Sequence, residues 1–102
     1  MYIFIREDLP HAYQIVQAAH ATHQAGIRFG KTEVSTNFVL IGVKDQEALR
    51  AVAMFLEYHQ IDFEMFDETD NDTGYTAIAT KPIVGEERKL FKRFNIYKGA
   101  QP

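Results

Sequence analysis

Residues 14–26 read QIVQAAHATHQAG, and the reading of this stretch decides the fold. Ala12, Ile15, Ala19 and Thr22 recur at three- and four-residue spacing, which predicts an amphipathic helix with those residues on its inner side. Gly26 stands where a helix favours a left-handed end residue. Gln17 and His20 are three positions apart, so their side chains meet on one helix face. Upstream, Tyr2–Arg6 (YIFIR) is a β-rich apolar run, a buried strand. Asp8 is a candidate helix cap, and Pro10 suits a first helical turn, where its missing N–H is not needed. The spacing therefore predicts a helix over about 10–25, set directly after a strand.

Downstream, residues 26–37 (GIRFGKTEVSTN) are polar and carry two glycines, which predicts a surface connection. Phe38–Val43 (FVLIGV) is the most apolar run and predicts a central strand. A strand, a helix and a second buried strand form a parallel βαβ unit with a right-handed crossover. Asp45 is a good N-cap for a second helix over Gln46–His59, with Leu49, Val52, Ala53 and Leu56 as its core stripe. Residues 61–66 alternate: Ile61, Phe63 and Met65 point one way, and Asp62, Glu64 and Phe66 the other. An acidic turn (67–74), a strand over Tyr75–Thr80 and a third helix opened by Glu86 and Glu87 complete the order β-α-β-α-β-β-α. Ile96 and Tyr97 suit a short extended tail. The fold class is α/β, a three-layer α/β/α sandwich on a four-stranded mixed sheet.

The 102 residues suit one domain, residues 1–102. There is no cysteine, which excludes disulfides and thiolate chemistry. No apolar run approaches 18 residues and the N-terminus lacks a cleavage-type segment, so no membrane partner and a cytoplasmic location are expected. Charge is uneven. Residues 1–80 hold five Lys/Arg against twelve Asp/Glu, a net of −7, whereas residues 81–102 hold six against two, a net of +4. A protein gripping nucleic acid broadly would be basic throughout. Any contact with RNA is therefore expected at Arg88, Lys89, Lys92 and Arg93, whose plain explanation is a solvated helix face.

Three motif fragments fail on spacing. Gly30-Lys31-Thr32 follows a helix rather than a strand, and Gly26 is one residue too close for a phosphate loop. His20 and His23 lack a third ligand at local spacing, so no metal is expected. Residues 70–74 (DNDTG) place glycine wrongly for a calcium loop.

Taken together, IREDL (5–9), QAAHA (17–21), VLIGVKDQEAL (39–49), FDETD (66–70), YTAIATKP (75–82) and GEERKLFKRFNIYK (85–98) run in the order seen in type 2 peptidyl-tRNA hydrolases. The chain resembles that family, and most of all its small divergent branch of peptidyl-tRNA hydrolase domain-containing proteins. The resemblance implies hydrolysis of the ester joining a peptide to the 3′ ribose of tRNA, with tRNA as partner, no metal or organic cofactor, and a possible homodimer. Carried over by position, it implies Gln17, His20, Asp67 and Thr76 as site residues, with His20 as base and Asp67 orienting it or the water. One departure stands out. The segment between the first strand and the helix is lysine-rich in active members, but here reads PHAYQ (10–14) without lysine. A binding module on the same fold, without catalysis, is the alternative expectation.

Overall fold

The computed structural model describes residues 1–30, 37–68 and 73–99. The expected phosphate-loop fragment Lys31-Thr32 and the calcium-like Asp70-Asn71-Asp72 lie outside those residues. Four strands and two α-helices follow the predicted order: β1 (Tyr2–Arg6), α1 (His11–Phe29), β2 (Val39–Val43), α2 (Gln46–Tyr58), β3 (Phe63–Glu68) and β4 (Gly74–Thr80). The expected third helix is a 3₁₀ helix over Gly85–Arg93. The sheet order is β2-β1-β4-β3. β1 pairs parallel with β2 and antiparallel with β4, and β3 pairs antiparallel with β4. The tail does add an extended piece: Ile96 bridges Ile41, and the Tyr97 N–H donates to Leu40 O at 2.8 Å.

Each face of the sheet has its own core. On one, Phe4, Ile41, Val43 and Ile78 pack against Leu49, Val52 and Leu56 of α2 and Phe91 of the 3₁₀ helix. The Tyr2 and Phe91 rings stack at 4.1 Å. On the other, Ile3, Ile5, Ala77 and Ala79 meet Ala18, Ala21 and Ala25 of α1. The α1 layer is rich in alanine, and the α2 layer holds the large aromatics Phe4 and Phe91.

The inner face of α1 is not the one predicted. Its buried residues are Gln14, Gln17, Ala21 and Ala25. Ile15 is 60% and Val16 48% exposed, so the stripe through Ala12, Ile15 and Ala19 faces outward. Two buried glutamines hide the true stripe from a hydrophobicity reading. The helix also passes Gly26 and runs to Phe29. Phe29 packs on the α1 core, and Arg28 donates to Phe63 O at 3.0 Å and lies 3.6 Å from the Glu64 carboxylate. Those contacts carry the helix one turn beyond its local stop signal. At the other end Pro10 is the cap residue itself, without a side-chain bond, because Asp8 is held by Arg6.

α2 behaves as its sequence predicts. Asp45 accepts from the Ala48 N–H at 2.9 Å, and the core stripe is buried. Its end is a Schellman turn: the Gln60 N–H donates to Glu57 O and the Ile61 N–H to Leu56 O, at 3.1 and 2.9 Å. Gln60 there has φ of 58°. An L side chain in that region costs about 1–2 kcal/mol. Gln60→Gly relieves the strain while loosening the unfolded chain, so a net stabilisation of up to about 1 kcal/mol is expected in denaturant titration. Gly74 has φ of 78°, and a β-carbon there would meet the Gln46 side chain, which accepts from the Tyr75 N–H. Gly74→Ala is expected to destabilise by about 1 kcal/mol or more by the same measure.

Candidate functional site

The register between β3 and β4 slips once. Phe66 faces Ala77 and Asp67 faces Tyr75, which leaves Thr76 as the extra residue of a β-bulge. The slip decides where the side chains go. Without it Thr76 would share a face with Ile78, in the α2 core. With it, the buried Thr76 hydroxyl turns toward α1 and donates to Gln17 Oε1 at 2.8 Å. Gln17, 1% exposed, donates in turn from Nε2 to Glu68 Oε2 at 3.3 Å. An ionised carboxylate only accepts, so the chain hydroxyl → amide → carboxylate fixes the amide's orientation.

His20 lies one turn beyond Gln17 on α1. It is exposed, and its ring stacks on Phe66 with centroids 4.7 Å apart and planes 3° apart. Among the described residues its ring nitrogens form no hydrogen bond, which leaves them open to solvent or a ligand. Gln17, Thr76 and His20 thus gather on the α1 side of the sheet. Asp67 does not join them. It sits opposite Tyr75, which packs on the α2 core, and cross-strand neighbours share a face. It is exposed and forms no hydrogen bond or ion pair among the described residues. The expected orientation of His20 by Asp67 is therefore not made. Glu68, the next residue, is the carboxylate on the α1 side that Gln17 reaches. The missed signal was strand parity: Phe66 and Glu68 are two apart and share a face.

At the neighbouring strand ends, buried Arg6 clamps the structure. Its Nε and Nη2 bind both Asp8 carboxylate oxygens at 2.9 and 2.8 Å, while Nη1 donates to Thr73 O and Tyr75 O at 2.8 and 3.0 Å. The hydrogen bonds from Arg6 hold the Asp8 carboxyl below its ordinary value, against the opposing effect of burial. Beside it, Gln14 Nε2 donates to Leu9 O at 2.7 Å, and its Oε1 accepts from the Tyr97 hydroxyl at 2.7 Å. Where the resemblance calls for lysines there is thus a polar hollow of about 200 Å³ lined by His11, Gln14 and Tyr97.

The four basic residues of the 3₁₀ helix are split up, on the α2 side of the sheet. Arg88 borders a cavity with Met1, Tyr2 and Val39, at the far ends of β1 and β2. Lys89 pairs with Glu86 at 2.8 Å. Arg93 lies 4.9 Å over the Phe55 ring and 5.8 Å from that of Phe94. Lys92 is exposed. They form no continuous stripe and do not border Gln17 or His20. No helix among the described residues is long and apolar enough to cross a membrane. Neither the known protein-family models nor the curated proteins give a match to this chain.

Thr76→Val leaves the buried Gln17 oxygen without its donor and is expected to cost about 1–3 kcal/mol. The pair Gln17→Leu/Thr76→Val is expected to cost less than the sum of the single variants, read from a double-mutant cycle in urea. Asp8→Asn addresses the clamp. A carboxyl held low in the fold contributes stability above its unfolded value near 3.9 and loses it as pH falls through the folded value. The variant is expected to be less stable than the parent at pH 7, with the gap closing below about pH 4.

Proposed function

We propose that this chain is a peptidyl-tRNA hydrolase-like protein that receives the acylated 3′ end of tRNA beside His20 and cleaves its ester. The observation that carries the reading is the Thr76–Gln17–Glu68 chain beneath an open, ring-stacked imidazole. In this reading His20 takes a proton from water as the water oxygen attacks the ester carbonyl. The tetrahedral intermediate then expels the ribose oxygen, which takes up that proton. Glu68, held by Gln17, supplies the carboxylate role that the resemblance implies for Asp67 and orients the water or the ribose hydroxyl. The segment 10–14 offers His11, Gln14 and Tyr97 as polar contacts in place of lysines, with a cation only when His11 is protonated.

The second reading is a binding module for the same RNA end. Two observations favour it: segment 10–14 lacks lysine, and no carboxylate forms a hydrogen bond to His20 among the described residues. Catalysis by His20 would then be absent, with recognition left to the exposed ring and the polar hollow.

Single-turnover deacylation of N-acetylaminoacyl-tRNA separates the readings. The hydrolase is expected to turn over, with His20→Ala lowering the rate about 10²–10⁴-fold while circular dichroism stays unchanged. Turnover insensitive to His20→Ala and Glu68→Gln would refute the assignment of roles. Binding of uncharged tRNA without turnover selects the module, and neither selects a protein-interaction domain. In the same titration, Arg88→Gln/Lys89→Gln/Lys92→Gln is expected to weaken tRNA binding and flatten its salt dependence if the 3₁₀ helix contacts phosphates.

A further inference from the structure

On the α2 side of the sheet, away from Gln17 and His20, α2 and the end of the 3₁₀ helix leave a groove of about 280 Å³. Its floor is apolar, built from Val43, Ala48, Val52, Phe55 and Phe94. Two cations flank it, Lys44 at the end of β2 and Arg93 at the end of the 3₁₀ helix. Neither forms an ion pair among the described residues. No acidic side chain lines the groove. The nearby Asp45 carboxylate is occupied in capping Ala48 N–H.

Arg93 is pre-placed. Contact with the Phe55 and Phe94 rings holds the guanidinium through cation–π attraction. That contact uses the face of the group, and its N–H fork has no hydrogen-bond partner among the described residues. A fork of that kind matches a carboxylate with two parallel bonds. An apolar floor below two unpaired cations is complementary to an apolar body with one anionic end. The volume lies just under the roughly 300 Å³ at which drug-sized pockets begin, which suits a small ligand.

We propose that this groove is a binding site for a small aryl or alkyl carboxylate. The apolar body lies on Val52, Phe55 and Phe94, and the carboxylate reaches Arg93 and Lys44. The site is separate from the hydrolase reading and does not depend on it.

The test is a ¹H–¹⁵N correlation titration of the full chain with 3-phenylpropionate, run beside its uncharged amide, 3-phenylpropionamide. Saturating shifts at millimolar ligand are expected for Lys44, Ala48, Val52, Phe55 and Phe94. Arg93→Gln with the acid is expected to bind about tenfold more weakly, the loss of one charge-assisted pair, and the amide, which loses the charge facing both Arg93 and Lys44, at least about tenfold more weakly. Ala51→Glu sets a carboxylate at the exposed rim of the groove and is expected to abolish the shifts while leaving the remaining spectrum in place. Three results would overturn the proposal: no shifts, equal binding of acid and amide, or shifts mapping to another surface.

Discussion

The bulge at Thr76 is the constraint from which the chemistry of this molecule follows. One extra residue in β4 turns a hydroxyl from the α2 core into the α1 layer, where Gln17 Oε1 accepts its hydrogen bond. That layer is otherwise mostly aliphatic, largely alanine on the helix and on β4. A polar pair in such a place is stable only when complete, and no buried side-chain polar atom among the described residues lacks a partner. The pair fixes the rotation of α1 about its axis, because only one setting brings Gln17 to Thr76 and Glu68. Rotation in turn sets His20 over Phe66 and turns Ile15 and Val16 to solvent.

How much of this the sequence discloses depends on whether burial follows hydrophobicity. In α2 it does: Leu49, Val52, Ala53 and Leu56 are both the apolar stripe and the buried face, and Asp45 caps as its type suggests. β1, β2 and β4 are legible for the same reason, whereas β3 runs over Phe63–Glu68, two residues beyond the expected 61–66. In α1 burial follows hydrogen bonding instead. Gln14 and Gln17 are inside because the carbonyls of Glu7 and Leu9 and the hydroxyl of Thr76 receive them there. Periodicity reads them as surface residues, so the stripe comes out on the wrong side. Asp8 and Gly26 mislead in the same way. Each carries a local signal that another contact overrides: Arg6, two residues away, takes the carboxylate, and the packing of Phe29 and Arg28 extends the helix. Of the four residues that the resemblance implies, Gln17, His20 and Thr76 lie on the α1 side of the sheet, while parity along β3 turns Asp67 to the other side and Glu68 to this one.

The sheet separates two kinds of surface. α1 contains no acidic residue, and its outer side mixes imidazoles with small aliphatic groups. The opposite side has α2 and the 3₁₀ helix over a core rich in phenylalanine, and the basic residues of the last third of the chain stand around it. A charge count along the sequence joins those cations into one patch. In space Arg88 and Arg93 serve different cavities, and Lys89 is neutralised by its neighbour. Linear clustering and spatial clustering diverge because a 3₁₀ helix repeats every three residues and sends adjacent side chains in different directions.

The central position of β1 has a consequence for how the chain is made. Its parallel neighbour β2 arrives about forty residues later, and its antiparallel neighbour β4 only at residues 74–80. The Tyr2 N–H closes on the Thr80 hydroxyl across 78 positions. During synthesis β1 therefore has one edge unsatisfied until β4 has been translated. Until that late closure the strand keeps its apolar side chains and its unpaired backbone N–H and C=O groups exposed, which is the condition under which strands pair with other chains.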